Sequence, residues 1–357
     1  MRIGIGHYAD VRNYGDYLFP LIMRQEILKR IPEATITFFG ATDDPCGQIN
    51  SVQIREGMIF DVALFAGGEV VHCEDDMLSN IYNQFGIVGI EKPTDVVFRL
   101  PEIGEFYSAW IGLGVPSEAD DVRLRIEKVA PKLNHIAFRG YLSAEIVRRT
   151  CPGLTVNEVP DLGWLINTLD NQDFNEVLGD PYIIAQGLEH HCDHIDDVAN
   201  ALHRISYESG FSIRLMPVTD CWNDESFVLK LNHAASGRFG LVWPAPDYLT
   251  RRKIIEKSKG FVGSSLHGAI TAMSSGLPAA IIYRPNNDQK FRETLIPLGL
   301  GGSLAPTWLE APSAFQSARK NQNLIWTIAN LNRGHLKTYF DFLCREIRSH
   351  VPSVGAH

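Results

Sequence analysis

The amino-acid sequence predicts an α/β protein with two Rossmann-like lobes, each holding a parallel sheet flanked by helices. Three observations indicate this class. Short apolar runs alternate with longer amphipathic ones along most of the chain, the polar stretch Asn167–Asp180 interrupts the alternation, and 357 residues exceed what one core comfortably holds. Two such series joined by a linker imply two parallel sheets rather than one.

The first series is expected to form an N-terminal lobe over residues 1–170. A helical pattern is clearest at Asp16–Arg30, and another lies at Leu142–Arg149. The candidate strands are Arg2–Gly6, Thr35–Phe39, Asp61–Ala66, Ser108–Gly112, His135–Phe138 and Thr155–Val159.

The second series is expected to form a C-terminal lobe over residues 181–313. Helical patterns include Ile195–Glu208 and Pro246–Lys257, and the segment 314–357 shows helical periods that we expect to pack back over the lobes. The candidate strands are Tyr182–Gln186, Ser212–Val218, Leu241–Trp243, Phe261–Ser264 and Ala279–Tyr283. Because ligands bind outside the carboxyl ends of parallel strands, we expect the site in a central cleft that both lobes face.

Composition excludes some classes of protein. The net charge of −9 argues against a nucleic-acid partner, whose phosphates require a basic face. Six cysteines without a CxxC pair indicate reduced thiols and a cytoplasmic location. The opening residues MRIGIGHYAD are typical of a buried strand rather than a signal peptide, and no stretch has the pattern of a transmembrane span.

The stretch GFVGSSLHGAITAMSSGLPAAIIY, from Gly260 to Tyr283, has the pattern strand, turn, helix, stop and strand. Ser264 and Ser265 lie at the predicted helix start, where backbone N–H groups favour an anion. His267 adds a group that exchanges protons near neutral pH. The spacing differs from GxSxG, which disfavours a serine hydrolase.

Two predicted turns in the first half of the chain hold further candidate site residues. Asn13 or Asp16 is suited to cap the first helix, and plain capping is the favoured interpretation of Asp16 alone. Gly67 and Gly68 allow a backbone to approach a ligand, and Glu69 supplies a carboxylate, although a tight βα turn explains them equally. The GIG at Gly4–Gly6 lacks the third glycine of a dinucleotide fingerprint.

Arg139 ends a strand and precedes a helix, where a guanidinium can bind a carboxylate or a phosphate. The competing interpretation is an ion pair with Asp161, which follows the next strand. Both interpretations place Arg139 at the carboxyl edge of the sheet.

For two charged segments we favour a structural role over a binding site. The segment LEHHCDHIDD, Leu188 to Asp197, is expected to be a loop and helix start rather than a metal site, because no matching ligand pair occurs elsewhere. The basic run Tyr248–Gly260 is expected to be a solvated helix face, with peripheral contact with anionic lipid at the inner face of the membrane as the weaker alternative.

Taken together, these motifs resemble those of the polysaccharide pyruvyl transferase family, in order and from Arg2 to about Phe291. The residues that carry the resemblance are Asn13-Tyr14-Gly15-Asp16, Gly67-Gly68-Glu69, Arg139 with Ser143, Leu266-His267-Gly268, Gly276-Leu277-Pro278, Tyr283 and Lys290. The sequence departs from the family pattern at Ser265, where many members have Arg, at Glu69, where a third glycine is common, and at Gly140, where Asp is common.

The resemblance implies a glycosyltransferase-B-like fold and transfer of a pyruvyl group from phosphoenolpyruvate to two hydroxyls of one sugar. It implies an acceptor on the N-terminal lobe, free or lipid-linked, and a donor on the C-terminal lobe, with no cofactor and no metal. The implied catalytic residues are His267, with Asp16 or Glu69 as a second proton handler. The implied substrate-binding residues are Asn13, Gly15, Gly67, Gly68, Arg139, Ser264, Ser265, Leu266, Gly268 and Lys290.

Two further functions compete with this one. The fold alone is also that of nucleotide-sugar glycosyltransferases. The departures at Ser265 and Glu69 are also compatible with a glycan-binding protein without catalysis, in which Trp110, Trp164, Trp222 or Trp243 stacks on sugars, although we expect most of these tryptophans to lie in the core.

Overall fold

The computed structural model describes residues 1–43, 46–47, 49–170, 179–192, 194–285 and 289–352. The chain forms two compact units. Unit 1 comprises Met1–Leu162 and Arg333–His357, and unit 2 comprises Gly163–Asn332. The described residues include part of the expected linker, but residues 171–178 lie outside them.

Unit 1 contains a parallel sheet, with seven strands among its described residues, in the order β3-β2-β1-β4-β5-β6-β7. Its strands are β1 Arg2–Gly6, β2 Thr35–Gly40, β3 Ser51–Gln53, β4 Phe60–Ala66, β5 Gly104–Leu113, β6 His135–Phe138 and β7 Asn157–Glu158. Its helices are α1 Tyr14–Arg30, α2 Asp75–Gln84, α3 Asp95–Phe98, α4 Leu100–Ile103, α5 Asp120–Val129 and α6 Tyr141–Thr150.

Unit 2 contains a second parallel sheet, with six described strands in the order β10-β9-β8-β11-β12-β13. Its strands are β8 Tyr182–Ala185, β9 Ser212–Leu215, β10 Gly240–Leu241, β11 Phe261–Gly263, β12 Ala279–Ile282 and β13 Leu304–Ala305. Its helices are α7 Ile195–Ser209, α8 Asp224–Ala234, α9 Tyr248–Glu256, α10 Leu266–Ser274, α11 Gln289–Leu295 and α12 Ala311–Lys320. A last helix, α13 Gln322–His350, begins in unit 2 and passes into unit 1 after Asn332.

Central strands of both sheets are covered on both faces. Every residue of β6 in unit 1, and of β8 and β12 in unit 2, is buried, and consecutive residues of a strand point to opposite faces. Burial on both faces is typical of parallel sheets and explains why these strands are largely continuous apolar runs. The predicted class, α/β with two Rossmann-like units and parallel sheets, is confirmed.

Each predicted strand overlaps an observed one, although Leu241–Trp243 shares only Leu241 with β10, and β3 and β13 were missed. β3 has three residues and β13 has two, so neither is long enough to show a strand period. The unit boundary lies before the expected linker, and Ile166 and Asn167 form hydrogen bonds within unit 2. The Asn167 side chain donates to Ser274 O at 2.9 Å, and Arg252 donates to Ile166 O at 2.9 Å.

The basic run at Tyr248–Gly260 corrects one expectation. Arg251, Arg252 and Lys253 of α9 are buried, at 5%, 0% and 8% exposure, so they do not form a solvated face. Arg251 binds the Asp220 carboxylate at 2.7 Å, which compensates its burial. These three side chains therefore do not present a basic surface to lipid.

Two further observations concern the cysteines and the lengths of the described helices. No disulfide joins the six cysteines, all of which lie in the described part. Among the described helices, none has both the length and the apolar character needed to span a bilayer.

Candidate functional site

Each sheet has a point where the strand order reverses, between β1 and β4 in unit 1 and between β8 and β11 in unit 2. In open α/β sheets, ligands bind outside the carboxyl ends of the strands at this point. Asn13–Asp16 follows β1 and Gly67–Glu69 follows β4, while Ser264–Gly268 follows β11. The motifs selected from the sequence therefore flank both reversal points.

In unit 1, Asn13 caps α1. Its side-chain oxygen accepts a hydrogen bond from Gly15 N at 3.0 Å, and its backbone is extended. Asp16 lies inside the first turn, so the capping role falls to Asn13 and leaves the Asp16 carboxylate at a helix N-terminus, where negative charge is favoured.

The Gly67–Gly68 turn packs against α1. Both glycines have a positive φ, +63° and +86°. A Cβ on Gly68 would lie 2.7 Å from Asp16 Oδ1, and a Cβ on Gly67 would lie 2.4 Å from the Phe19 ring. Only glycine allows this approach, which brings the Asp16 carboxylate against the turn that carries Glu69.

Arg139 lies between two carboxylates. Its side chain is 1% exposed, with Nη1 at 3.5 Å from Asp161 Oδ2 and Nη2 at 3.5 Å from Glu69 Oε1. The predicted ion pair with Asp161 is confirmed. The buried Ser143 hydroxyl accepts a hydrogen bond from Val115 N at 3.0 Å. Unit 1 thus gathers one guanidinium and the carboxylates of Glu69 and Asp161.

A second polar cluster in unit 1 was missed from the sequence. Asp10 is fully buried and accepts hydrogen bonds from Tyr82 Oη and from the Thr42 backbone and hydroxyl. Burial raises the pKa of Asp10 to about 6 and lowers the pKa of His7 to about 3. The hydrogen bonds of Asp10 tie the loop between β1 and α1 to the loop after β2 and to α2.

In unit 2, Ser265 caps α10. Its hydroxyl accepts a hydrogen bond from Gly268 N at 3.1 Å. The backbone N–H groups of Ser264 and Ser265 donate to Gln186 Oε1, at 3.1 and 3.0 Å. The N–H groups that we expected to bind an anion are thus hydrogen-bonded to Gln186, a residue that the sequence analysis did not single out.

Leu266 and Gly268 have packing roles in the same turn. Leu266 is 4% exposed. A Cβ on Gly268 would lie 2.6 Å from the Phe261 ring, so glycine lets α10 pack closely on β11.

His267 is the second residue of α10 and is half-buried. Thr271 Oγ1 donates to its carbonyl oxygen at 2.7 Å. Lys290 is also half-buried, as the second residue of α11, with Nζ 5.4 Å from the Phe291 ring centroid. Lys290 comes after β12, which pairs with β11, and residues 286–288 before α11 lie outside the described part.

The predicted site residues therefore fall into two groups. Unit 1 holds Asn13, Gly15, Asp16, Gly67, Gly68, Glu69 and Arg139, and unit 2 holds Ser264, Ser265, Leu266, His267, Gly268 and Lys290. Within unit 1, packing joins Asp16 to Gly68, and an ion pair joins Arg139 to Glu69. Within unit 2, a cap joins Ser265 to Gly268.

The potential metal ligands and the tryptophans bear on the other interpretations of the sequence, a metal site and a glycan-binding protein. Over the described residues, no group of three or more His, Cys, Asp or Glu side chains is arranged to hold a metal ion, and Asp193 of the histidine-rich segment lies outside them. Trp110 and Trp164 are fully buried, whereas Trp222 and Trp243 are 38% and 41% exposed. Of these four, Trp222 and Trp243 alone offer faces to a sugar.

Solved structures of similar fold include a complex with UDP and two UDP-N-acetylglucosamine 2-epimerases. The S. aureus MnaA–UDP co-structure has a TM-score of 0.53 and 10% identity, covering 95% of this chain and 96% of that one. A putative UDP-N-acetylglucosamine 2-epimerase from Listeria monocytogenes has a TM-score of 0.55 and 12% identity, covering 92% and 90%. The Neisseria meningitidis UDP-GlcNAc 2-epimerase bound to UDP-GlcNAc has a TM-score of 0.52 and 11% identity, covering 96% and 100%. At these identities the likeness shows the two-lobe, glycosyltransferase-B-like fold and nothing more.

A search of curated protein sequences found no significant match. A model of the family Polysaccharide pyruvyl transferase, in contrast, matches residues 13–286. That range holds more than half of the chain and includes the motifs at Asn13, Arg139 and His267. The chain belongs to the polysaccharide pyruvyl transferase family.

Proposed function

We propose that this protein transfers a pyruvyl group from phosphoenolpyruvate to two hydroxyls of one sugar in a surface or exopolysaccharide precursor, forming a cyclic ketal. The observation that carries the proposal is family membership over residues 13–286, with His267 in the first turn of α10 beside the reversal point of its sheet. The acceptor is a sugar or a lipid-linked oligosaccharide, and the reaction needs no cofactor beyond the donor itself.

The chemistry requires proton transfer at four atoms, which are C3 of the donor, the two attacking hydroxyl oxygens and an oxygen of the released phosphate. C3 of the enolpyruvate gains a proton as C2 becomes electrophilic, and a sugar hydroxyl attacks C2 and loses its proton. The C2–O bond to phosphate then breaks, and the second hydroxyl attacks C2 and loses its proton to close the ring. One proton ends on C3 and the other on the phosphate, so the reaction balances. We assign His267 as the group that moves these protons, since imidazole exchanges them near neutral pH.

The carboxylates of unit 1 supply a second proton handler, either Asp16 or Glu69. Glu69 has a side-chain exposure of 22% and lies 3.5 Å from Arg139. The Arg139 side chain is 1% exposed and has two carboxylate neighbours, so we assign it to hold Glu69 in place rather than to bind the donor directly. Lys290, the second residue of α11 and half-buried, is the assigned cation for the donor in unit 2.

The test is incubation with phosphoenolpyruvate and a panel of galactose-, glucose- and mannose-type acceptors. We expect phosphate release and a product heavier than the acceptor by one pyruvate minus water. His267→Ala should lower the rate on the order of 10²–10⁴-fold, as removal of a general acid/base does. The matched control is His335→Ala on the exposed face of α13, which should keep the wild-type rate.

Three outcomes would count against the proposal. Release of no phosphate with any acceptor would contradict it. A thermal shift with uridine or guanosine diphosphate, and none with phosphoenolpyruvate, would favour a nucleotide-sugar glycosyltransferase. Glycan binding without turnover, unchanged in His267→Ala, would favour a binding protein.

A further inference from the structure

Gln186 follows β8 and is 2% exposed, and its side-chain amide forms hydrogen bonds at both ends. Oε1 accepts from the backbone N–H groups of Ser264 and Ser265, at 3.1 and 3.0 Å. Nε2 donates to Asp224 Oδ2 at 2.9 Å. The amide therefore connects the turn before α10 with a carboxylate at the start of α8.

Asp224 is itself held firmly. It is fully buried, and Oδ2 also accepts from the backbone N–H groups of Val218 and Thr219, at 3.0 and 2.9 Å. Burial raises the pKa of Asp224 to about 7, against the opposing effect of these N–H donors and of Arg251 on α9. Because two of its partners are backbone groups, the carboxylate has a set position relative to the loop after β9.

The amide can have only one orientation here. Oε1 faces two N–H donors, and Nε2 faces a carboxylate. An amide rotated by 180° would point its own N–H groups at those donors and its oxygen at the carboxylate. The turn is also shaped for this side chain, because a Cβ on Gly263 would lie 2.7 Å from Gln186 Oε1. Glycine at 263 is what lets the amide approach the backbone so closely.

We propose that Gln186, anchored by Asp224, is a positioning residue for His267. Ser265 is the cap of α10, and His267 lies two residues further along. Holding the N–H groups of Ser264 and Ser265 fixes where the helix begins, and this fixes the direction in which the Cα–Cβ bond of His267 leaves the helix. The proposal rests on the function proposed above, in which His267 moves protons, and a catalytic group displaced by about 1 Å can lose about 10²-fold in rate.

The first test is Gln186→Met, which keeps the length of the side chain and removes both hydrogen-bonding ends. We expect kcat to fall about 10–100-fold, with a much smaller change in KM for phosphoenolpyruvate. Amide hydrogen exchange at Ser264 and Ser265 should become faster, which is a readout independent of the reaction. Gln316→Met is the matched control, since the Gln316 amide donates to the carboxylate of Glu208, an exposed residue outside the candidate site, and it should change neither quantity.

The second test is Gln186→Glu, which keeps an acceptor for the two N–H groups. The new carboxyl group and that of Asp224 would lie close enough to share one proton. When that proton is bound, it makes the hydrogen bond that the amide N–H made in the wild type, and when it is lost, two carboxylates repel each other. Activity of Gln186→Glu relative to wild type should therefore recover as the pH is lowered, whereas that of Gln186→Met should not. If Gln186 only fills space in the wild-type protein, no such recovery is expected.

Unchanged exchange at Ser264 and Ser265 in Gln186→Met would overturn the proposal, as would faster exchange with a wild-type kcat. If Gln186→Met does not fold, the pH dependence of Gln186→Glu decides instead, and a flat ratio to wild type rejects the proposal. Failure of the proposed function looks different, because the wild-type protein then releases no phosphate. The exchange measurement still decides in that case whether Gln186 holds the turn.

Discussion

At the scale of single residues, glycines decide which groups of the candidate site come together. The sequence predicted that Gly67 and Gly68 let the backbone approach a ligand, and in the structure side chains of α1, Asp16 and Phe19, lie against these two glycines. The turn was predictable because Gly-Gly after an apolar run is a local signal. The identity of the approaching side chains was not, because α1 lies far earlier in the chain than the turn.

Gly68→Ala should destabilise the protein more than a comparable glycine substitution elsewhere. The new Cβ would meet Asp16 Oδ1 and Val70 Cγ1, both at 2.7 Å, at a residue whose φ is +86°. The matched control is Gly57→Ala, with φ +78° and no atom within 4 Å of the new Cβ. Both variants adopt an unfavourable φ, so the difference isolates the contacts of the new Cβ. We expect Gly68→Ala to lose about 1–3 kcal/mol more, measured by urea unfolding. Equal losses would show that the contacts with Asp16 and Val70 are unimportant.

At the scale of secondary-structure elements, α9 shows where sequence reasoning was wrong. Three consecutive basic residues in a helix usually indicate a solvated face. In α9 they are buried, and the two arginines have partners in distant parts of unit 2. Arg251 bonds to Asp220 and Arg252 to the carbonyls of Ile166 and Leu169. Those partners lie 31 to 86 residues away along the chain and leave no signal in the local pattern.

Arg252→Met should cost about 3 kcal/mol of unfolding free energy. Arg252 donates to Ile166 O and Leu169 O at 2.9 and 3.1 Å, and its Nε lies 3.7 Å from Glu256 Oε1. Removal leaves buried acceptors without their donor, which is costly. Chemical denaturation measures the effect. The control Lys259→Met changes an exposed basic residue beyond the same helix and should stay within about 0.5 kcal/mol. Comparable losses in both variants would contradict the buried role.

At the scale of the whole molecule, α13 belongs to two units. From Arg333 onward it packs on unit 1, where Arg30 binds Asp341 at 2.6 Å and His135 binds Glu346 at 3.0 Å. The sequence predicted helices over 314–357 that pack back, but not that one helix is divided between the units at Asn332. A helical period identifies an apolar stripe and does not say which sheet buries it.

Phe340→Ala should therefore weaken unit 1. Phe340 is 0% exposed on α13, and truncation of a buried phenylalanine costs about 3–5 kcal/mol. Hydrogen exchange followed by mass spectrometry should show faster exchange in strands β1 and β4 than in the wild type, with β11 of unit 2 little changed. Phe342→Ala, two residues away and 43% exposed, is the control and should behave as the wild type. Equal acceleration in both sheets would contradict the assignment of this part of α13 to unit 1.

The sequence by itself determined the fold class, the order of most strands, the family, and the location of the motifs after strands, because these properties are encoded in contiguous residues through apolar periodicity and turn chemistry. The tertiary structure alone decided how the polar groups pair. Gln186 meets Ser264 and Asp224 across 78 and 38 residues of chain, and it does so because the strand order places β8 beside both β9 and β11. Hydrogen bonds between distant residues depend on which strands become neighbours, and no local pattern specifies that.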